Sequence, residues 1–115
     1  MAKENKKING MTMSTEYMEI CGVKIWKNAS ESMINELKVF NGWLLWESPP
    51  CPRFVVIFQG KEKIYLAKGK LKIFFEDGGE FFEIEAGDVV EFPNKLTIEC
   101  EVLEAAKKYY NFERE

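Results

Sequence analysis

Histidine is absent from the 115 residues of this chain. Imidazole is the usual proton acceptor beside a catalytic serine or cysteine, and it is a common ligand of transition metals. Its absence therefore excludes Ser-His-Asp chemistry, Cys-His chemistry and any metal site built from imidazole within this chain.

Cysteine is scarce, with three residues at Cys21, Cys51 and Cys100. The number is odd, the spacing is wide, and no Cys-X-X-Cys pair occurs. Disulfide frameworks and structural zinc sites need paired or regularly spaced cysteines. The pattern therefore predicts reduced thiols, most of them buried.

Arginine is also rare, because only Arg53 and Arg114 stand among the sixteen basic residues. The net charge is −3, and lysines alternate with acidic and apolar residues. A nucleic-acid partner would favour a basic stripe rich in arginine, so this pattern predicts a solvated surface instead. No apolar run reaches the ~20 residues of a membrane helix, and residues 1–7 do not lead into a secretory signal. We expect a cytoplasmic protein with no nucleic-acid or membrane partner.

The residues that are present suit one globular domain. Hydrophobic residues make up 46% of the chain and charged residues 30%, a composition typical of a soluble domain with a single core. Residues 1–16 are polar and lack periodicity, so we predict a flexible N-terminal arm there. The domain itself is predicted to span residues 17–115.

Alternation of apolar and polar residues predicts β-strands along most of the chain. Residues 22–27 alternate first, and residues 28–37 then show helical spacing, with Glu31 three residues after Asn28 as a weak capping box. Lys68-Gly69 and Asp77-Gly-Gly79 are predicted to be turns. Further strands are predicted at residues 39–47, 54–58, 62–67, 70–76, 81–85, 89–92, 96–103 and 107–112. Many short strands predict an all-β, single-domain antiparallel β-barrel of the jelly-roll type, with a short N-terminal helical turn.

Two spacings go beyond this fold class. Glu62 is followed after six residues by Gly69, and Gly87 is followed after five by Pro93. In this order they resemble the two motifs of the cupin superfamily. The stretch from Trp43 to Phe112 resembles more closely the small single-domain cupins related to the ureidoglycine aminohydrolase family. The matching segments are Trp43-Leu-Leu-Trp-Glu47, Phe54, Tyr65-Leu-Ala-Lys-Gly69, Gly87-Asp-Val-Val-Glu-Phe-Pro93, Lys107-Lys108 and Tyr110-Asn111.

The resemblance implies a jelly roll, and it also identifies where a metal would sit in related proteins. Metal-binding cupins carry three histidines at the places held here by Val56, Phe58 and Ile98. Only the motif carboxylate, Glu62, remains. One carboxylate among apolar side chains does not hold a transition metal. We therefore predict a cupin without a metal or other cofactor.

Glu62 is the candidate catalytic residue. If it points into the barrel, burial raises the pKa of its carboxyl, and a neutral glutamate near pH 7 is suited to acid–base chemistry. The alternative is a carboxylate that is solvated or paired with a lysine. The candidate ligand-binding residues are Trp46, Phe54, Val56, Phe58, Tyr65, Ile98 and Cys100. The alternative for these residues is barrel core, because aromatic side chains dominate small cores.

Two functions follow from these residues. The first is a metal-free cupin that binds a small polar metabolite in its barrel and acts on it through Glu62. The second is a non-catalytic cupin that serves as a binding or dimerisation module. A homodimer is expected in either case, and the sequence leaves open whether the protein is an enzyme.

Overall fold

Ten β-strands and one short helix follow one another in residues 5–8, 11–14, 17–76 and 79–114, the part of the chain described by a computed structural model. In chain order they are β1 (Asn5–Ile8), β2 (Met11–Ser14), β3 (Met18–Ile20), β4 (Val23–Trp26), α1 (Glu31–Leu37), β5 (Leu44–Ser48), β6 (Cys51–Ile57), β7 (Gly60–Phe75), β8 (Phe81–Glu85), β9 (Val89–Phe92) and β10 (Thr97–Arg114).

Strands β3 to β10 form one antiparallel sheet in the order β3-β4-β9-β7-β10-β5. In addition, β6 pairs with β10 and β8 pairs with β7. The long strands β7 and β10 lie at the centre, and each changes partner along its length. This arrangement confirms the predicted all-β jelly roll with one short helix.

The predicted turn at Lys68-Gly69 is wrong, because β7 runs through it without reversing. Gly69 has φ +94°, and a Cβ at this position would lie 2.3 Å from the carbonyl oxygen of Ala105. Strand β10 also runs unbroken through residues 104–106, where its pairing with β7 shifts register. Glycine is thus needed at position 69 because the backbone of the neighbouring strand approaches it there.

The interior of the sheet is filled by aliphatic and aromatic side chains from alternate strand positions. On β7 the buried residues change from even to odd positions across Gly69, from Ile64 and Leu66 to Leu71 and Ile73. This change follows from the irregular register at that point. The interior cluster comprises Val23, Ile25, Phe58, Ile64, Leu66, Leu71, Ile73, Phe75, Ile84, Val90, Phe92, Ile98, Cys100, Val102 and Ala106.

The helix begins after Ser30, whose hydroxyl accepts a hydrogen bond from the backbone N–H of Met33 at 3.0 Å. The predicted capping box at Asn28 is therefore wrong. Asn28 lies at φ +49° and donates its own N–H to Asp88 instead. No helix in the described residues is long and apolar enough to cross a membrane.

Strands β1 and β2 pair with each other as a separate two-stranded sheet inside the segment predicted to be an arm. The division into an arm at residues 1–16 and a domain at residues 17–115 remains a prediction. Of the predicted hairpin turn, Asp77 and Gly78 lie outside the described residues. The antiparallel pairing of β7 with β8 brackets that turn, as predicted.

Candidate functional site

Glu62 lies on the interior face of β7. It shares the alternation of Ile64 and Leu66, which are both buried in the interior cluster. Across the sheet it is paired with Phe92 on one side and Phe112 on the other. The structure therefore turns this carboxyl inward, where it is partly buried.

Lys108 also reaches this interior, and the sequence interpretation missed it. It lies on β10, paired with Trp46 of β5 on one side and Leu66 of β7 on the other. Its Nζ lies 4.6 Å from the centroid of the Trp46 ring and 5.9 Å from that of Tyr110. One signal in the sequence could have identified it. Residues two positions apart in a strand face the same side, and Lys108 stands two residues after the buried Ala106. We interpreted the Lys107-Lys108 pair only as a family feature.

The pKa values of Glu62 and Lys108 are changed by burial and by the charge of the other group. Burial raises the pKa of Glu62, and the positive charge of Lys108 opposes that rise. Burial lowers the pKa of Lys108, and the negative charges of Glu62 and Cys100 oppose that fall. Within the described residues these two side chains form no ion pair within 4.0 Å. Each group is therefore moved towards its neutral form.

Cys100 is the third ionisable group of the interior. Burial raises the pKa of its thiol to about 11, although the charge of Lys108 acts in the opposite direction. The thiol is therefore protonated at neutral pH and is a poor nucleophile. Cys51, at the start of β6, packs against the same cluster and adds a smaller upward contribution to that pKa.

Six of the seven predicted ligand-binding residues belong to this interior. Phe58, Ile98 and Cys100 are buried in it, while Trp46, Phe54 and Val56 are partly buried and pack against it. The structure does not place the seventh residue, Tyr65, in this interior. Tyr65 lies between the inward-facing Ile64 and Leu66, so it points to the opposite face, where its ring meets that of Phe40 edge to face.

The side chains in this interior do not suit the metal of related cupins. Val56 and Ile98 lie opposite each other on β6 and β10, and the ring of Phe58 stacks on Phe92 with centroids 4.4 Å apart. These side chains offer no lone pair to a cation, which leaves the single carboxylate of Glu62. Across the described residues, no three histidine, cysteine, aspartate or glutamate side chains are grouped so as to hold a metal ion.

A second buried acid, Asp88, follows Gly87 in the turn before β9. It is 1% exposed and accepts hydrogen bonds from the backbone N–H groups of Asn28 and Glu85, each at 2.8 Å. Its carboxylate also pairs with the ammonium of Lys27. Asp88 thus bonds the backbone of its own turn, and it also connects the β4–α1 loop to this turn.

A groove of about 620 Å³ lies on the outer face of the sheet, away from Glu62. Arg53 crosses it with its guanidinium 3.5 Å from the centroid of Phe74, and the same guanidinium pairs with Glu99 at 3.3 Å. Both side chains of that pair are close to half exposed. An ion pair in such a setting contributes little to stability.

Comparison with known proteins identifies relatives of the chain. The family model of EutQ-like cupin domains matches residues 35–110. The crystal structure of a DUF861 family protein from Thermotoga maritima shares 35% identity over 79% of this chain and 99% of its own, with a TM-score of 0.72.

Two more distant structures show the fold alone. A protein of unknown function from Rhizobium leguminosarum is 13% identical over 82% of this chain and 72% of its own, with a TM-score of 0.56. A cupin-2 domain containing protein from Shewanella frigidimarina is 14% identical over 84% of this chain and 76% of its own, with a TM-score of 0.51. Among curated proteins, none matches the chain. The relationship to ureidoglycine aminohydrolases stays a prediction.

Proposed function

The chain belongs to the family of EutQ-like cupin domains, and from that membership we propose that its barrel interior binds a small polar metabolite and performs acid–base chemistry on it without a metal ion. The observation that carries the proposal is the pair Glu62 and Lys108. These two ionisable groups face a mostly apolar interior from adjacent strands, and within the described residues neither neutralises the other through a direct ion pair.

The chemistry follows from the opposite directions in which the two groups are shifted. Burial favours a protonated carboxyl at Glu62 and an unprotonated amine at Lys108. A protonated carboxyl is a general acid and a free amine is a general base. Titratable groups whose surroundings move their pKa values in this way are typical of catalytic sites.

The surrounding side chains limit the class of ligand. Trp46, Phe54 and Val56 provide partly buried apolar walls, which favour a small molecule with a flat or apolar body. Glu62 and Lys108 would then bind its polar end. The apolar residues at the ligand positions of metal cupins, Val56 among them, support a reaction that needs no metal ion.

A thermal-shift screen of small metabolites tests this proposal. We expect at least one compound that raises the melting temperature of the wild type and loses most of that effect with Glu62→Gln. The matched control is Glu83→Gln, which removes an exposed carboxylate on β8 and is expected to keep the shift. Metal analysis of the purified protein is expected to find no stoichiometric transition metal. Such a metal, or a screen without any hit, would contradict the proposal.

Exposed apolar side chains on the outer face of the sheet favour the second candidate function, a binding or dimerisation module. Val55 and Ile57 are 59% and 62% exposed on β6, and β6 has β10 as its only strand partner among the described residues. We propose that a homodimer forms over this face, because pairing would cover an open strand edge and its apolar side chains together. Light scattering is expected to give a dimer for the wild type and a monomer for Val55→Lys/Ile57→Lys. A wild-type monomer would contradict it.

The cytoplasm remains the proposed location. The absence of a nucleic-acid or membrane partner also remains a proposal. It is supported by the net charge of −3 and by lysines that are mixed with acidic residues.

A further inference from the structure

Among the described residues, the barrel interior holds the reactive groups of Glu62, Cys100 and Lys108, and Cys51 and Tyr110 pack against its core. The thiol of Cys100 is protonated at neutral pH because burial raises its pKa to about 11. A carboxylate is a weak nucleophile in comparison with an amine. Lys108 is therefore the strongest candidate for covalent chemistry in this interior.

The position of Lys108 is also unusual for a lysine. Strand β10 is paired on both sides at this point, with β5 and with β7, so Lys108 lies at the centre of the sheet, on the same face as its partner Leu66. Its nearest recorded aromatic partner is Trp46, with Nζ 4.6 Å from the ring centroid. Within the described residues, no carboxylate lies within 4.0 Å of this ammonium, and the residue is only partly buried, so solvent reaches the group. A lysine that faces the interior, is reached by solvent and lacks an ion-pair partner is available to a ligand.

We propose that Lys108 is a catalytic residue that forms an imine with a small aldehyde or ketone, and that Glu62 transfers the protons of this step. The inference rests on the proposed function, because it assigns a substrate class to the same interior. It goes beyond that function by making the site covalent.

The step balances as follows. The lone pair of the Lys108 nitrogen attacks the carbonyl carbon, and the carbonyl π electrons move to oxygen, which takes a proton from the Glu62 carboxyl. The nitrogen then releases a proton to the Glu62 carboxylate, which leaves a neutral carbinolamine. Glu62 protonates the hydroxyl group, the C–O bond breaks, and water leaves. The second amine proton returns to Glu62, so amine and carbonyl become imine and water.

The surroundings favour each part of this step. Burial lowers the pKa of Lys108, and the fraction of free amine at neutral pH rises about tenfold for each unit of such a shift. The Trp46 ring lies where it would stabilise the positive charge of a protonated imine. The alternative is that Lys108 only binds an anionic ligand as a charge, which requires the ammonium form.

Acetylacetone is a suitable probe, because this 1,3-diketone condenses with a free amine to a stable enaminone that absorbs in the near ultraviolet. We expect the wild type at neutral pH to gain one adduct, located at Lys108 by peptide mass spectrometry. Its formation is expected to be at least about tenfold faster than adduct formation at Lys107. Lys108→Met is expected to lose the fast adduct. Lys107→Met is the matched control and is expected to keep it.

Glu62→Gln tests the proton-transfer role, and because it also removes the charge that raises the pKa of Lys108, any slowing is opposed by an increase in free amine. This variant is expected to form the adduct at Lys108 more slowly by about tenfold or more, within the range of general acid–base catalysis. Thermal melting of each variant confirms that it is folded. Labelling of Lys108 no faster than Lys107 in the folded wild type would overturn the inference.

The outcome is distinguishable from failure of the proposed function. A metabolite that stabilises the wild type while acetylacetone leaves Lys108 unlabelled would support a binding pocket and overturn only the imine. Failure of both the metabolite screen and the labelling would overturn both. Fast labelling at Lys108 that is lost in Lys108→Met supports the imine, and a screen without any hit would still overturn the metabolite proposal.

Discussion

Two acid–lysine pairs in this molecule differ in how their charges are satisfied. At the β4–α1 and β8–β9 turns, Asp88 is 1% exposed, pairs with Lys27 and accepts two backbone hydrogen bonds. In the barrel interior, Glu62 and Lys108 face the same space without a direct pair in the described structure. The pair of Asp88 and Lys27 connects two turns, whereas Glu62 and Lys108 lie apart in mostly apolar surroundings.

The difference separates a structural acid from a candidate functional one. Asp88 accepts hydrogen bonds from the backbone N–H groups of Asn28 and Glu85 in a part-buried setting. Within the part of the chain that the structure describes, no backbone group bonds to the side chain of Glu62, and burial raises its pKa. An acid that accepts hydrogen bonds within the fold stabilises the fold, whereas an acid without such partners is available to a ligand. Substitutions at the two sites should therefore have opposite effects on stability.

The largest effect is expected for Asp88→Ala. The change leaves the N–H groups of Asn28 and Glu85 without acceptors, and each such loss costs about 1–3 kcal/mol. We expect the free energy of unfolding to fall by about 4 kcal/mol, measured by urea denaturation. Asp88→Asn keeps one carbonyl acceptor and is expected to lose about half as much. A loss below about 1 kcal/mol for the alanine variant would contradict the assigned role.

A smaller effect of opposite sign is expected for Glu62→Leu/Lys108→Met. Replacement of buried charged groups by apolar side chains of similar volume is often neutral or stabilising, by up to about 4 kcal/mol. Because both groups are only partly buried, we expect a gain near 1–2 kcal/mol in the same urea experiment. The metabolite-dependent shift should disappear. Destabilisation would show that this pair stabilises the fold as Asp88 does.

The contrast also shows what the sequence could predict. Alternation and turn residues predicted the strand-rich fold, and motif spacing identified Glu62 as a candidate while leaving open whether it points into the barrel. Gly69 was misread as a turn because close approach by the backbone of β10 is a tertiary contact with no local signal. Lys108 was missed because a lysine next to another lysine is ordinarily solvated. Its burial depends on pairing with β5 and β7, which lie far away in sequence.

The pH dependence of single variants sharpens the comparison further. The pKa of Glu62 is raised above its ordinary 4.5, so from pH 4.5 up to its folded pKa the folded state binds more protons. Stability of the wild type relative to Glu62→Gln should therefore fall as the pH rises through that window.

Lys108 should show the opposite slope. Its pKa is lowered from 10.5, so below pH 10.5 and above its folded pKa the unfolded chain binds more protons. Stability relative to Lys108→Met should then rise with pH, with each slope at most about 1.4 kcal/mol per pH unit. Cys100 also faces Lys108, and its thiol loses stabilising protonation as the pH rises from 9.0 to about 11. The comparison is therefore made below pH 9. Parallel slopes for the two variants would contradict the assigned shifts.

The smallest effect is expected for Lys27→Met, which tests whether the backbone or the lysine satisfies Asp88. The side chain of Lys27 is 39% exposed, and ion pairs with one such partner contribute about 0–1 kcal/mol. The two backbone N–H donors remain, so we expect a loss of about 0.5–1 kcal/mol in urea. Lys108→Met at neutral pH should instead leave stability equal or higher. If Lys27→Met lowered the free energy of unfolding as much as Asp88→Ala, the ion pair would account for the stabilisation of this turn. The two acids would then differ only in whether a lysine contacts them.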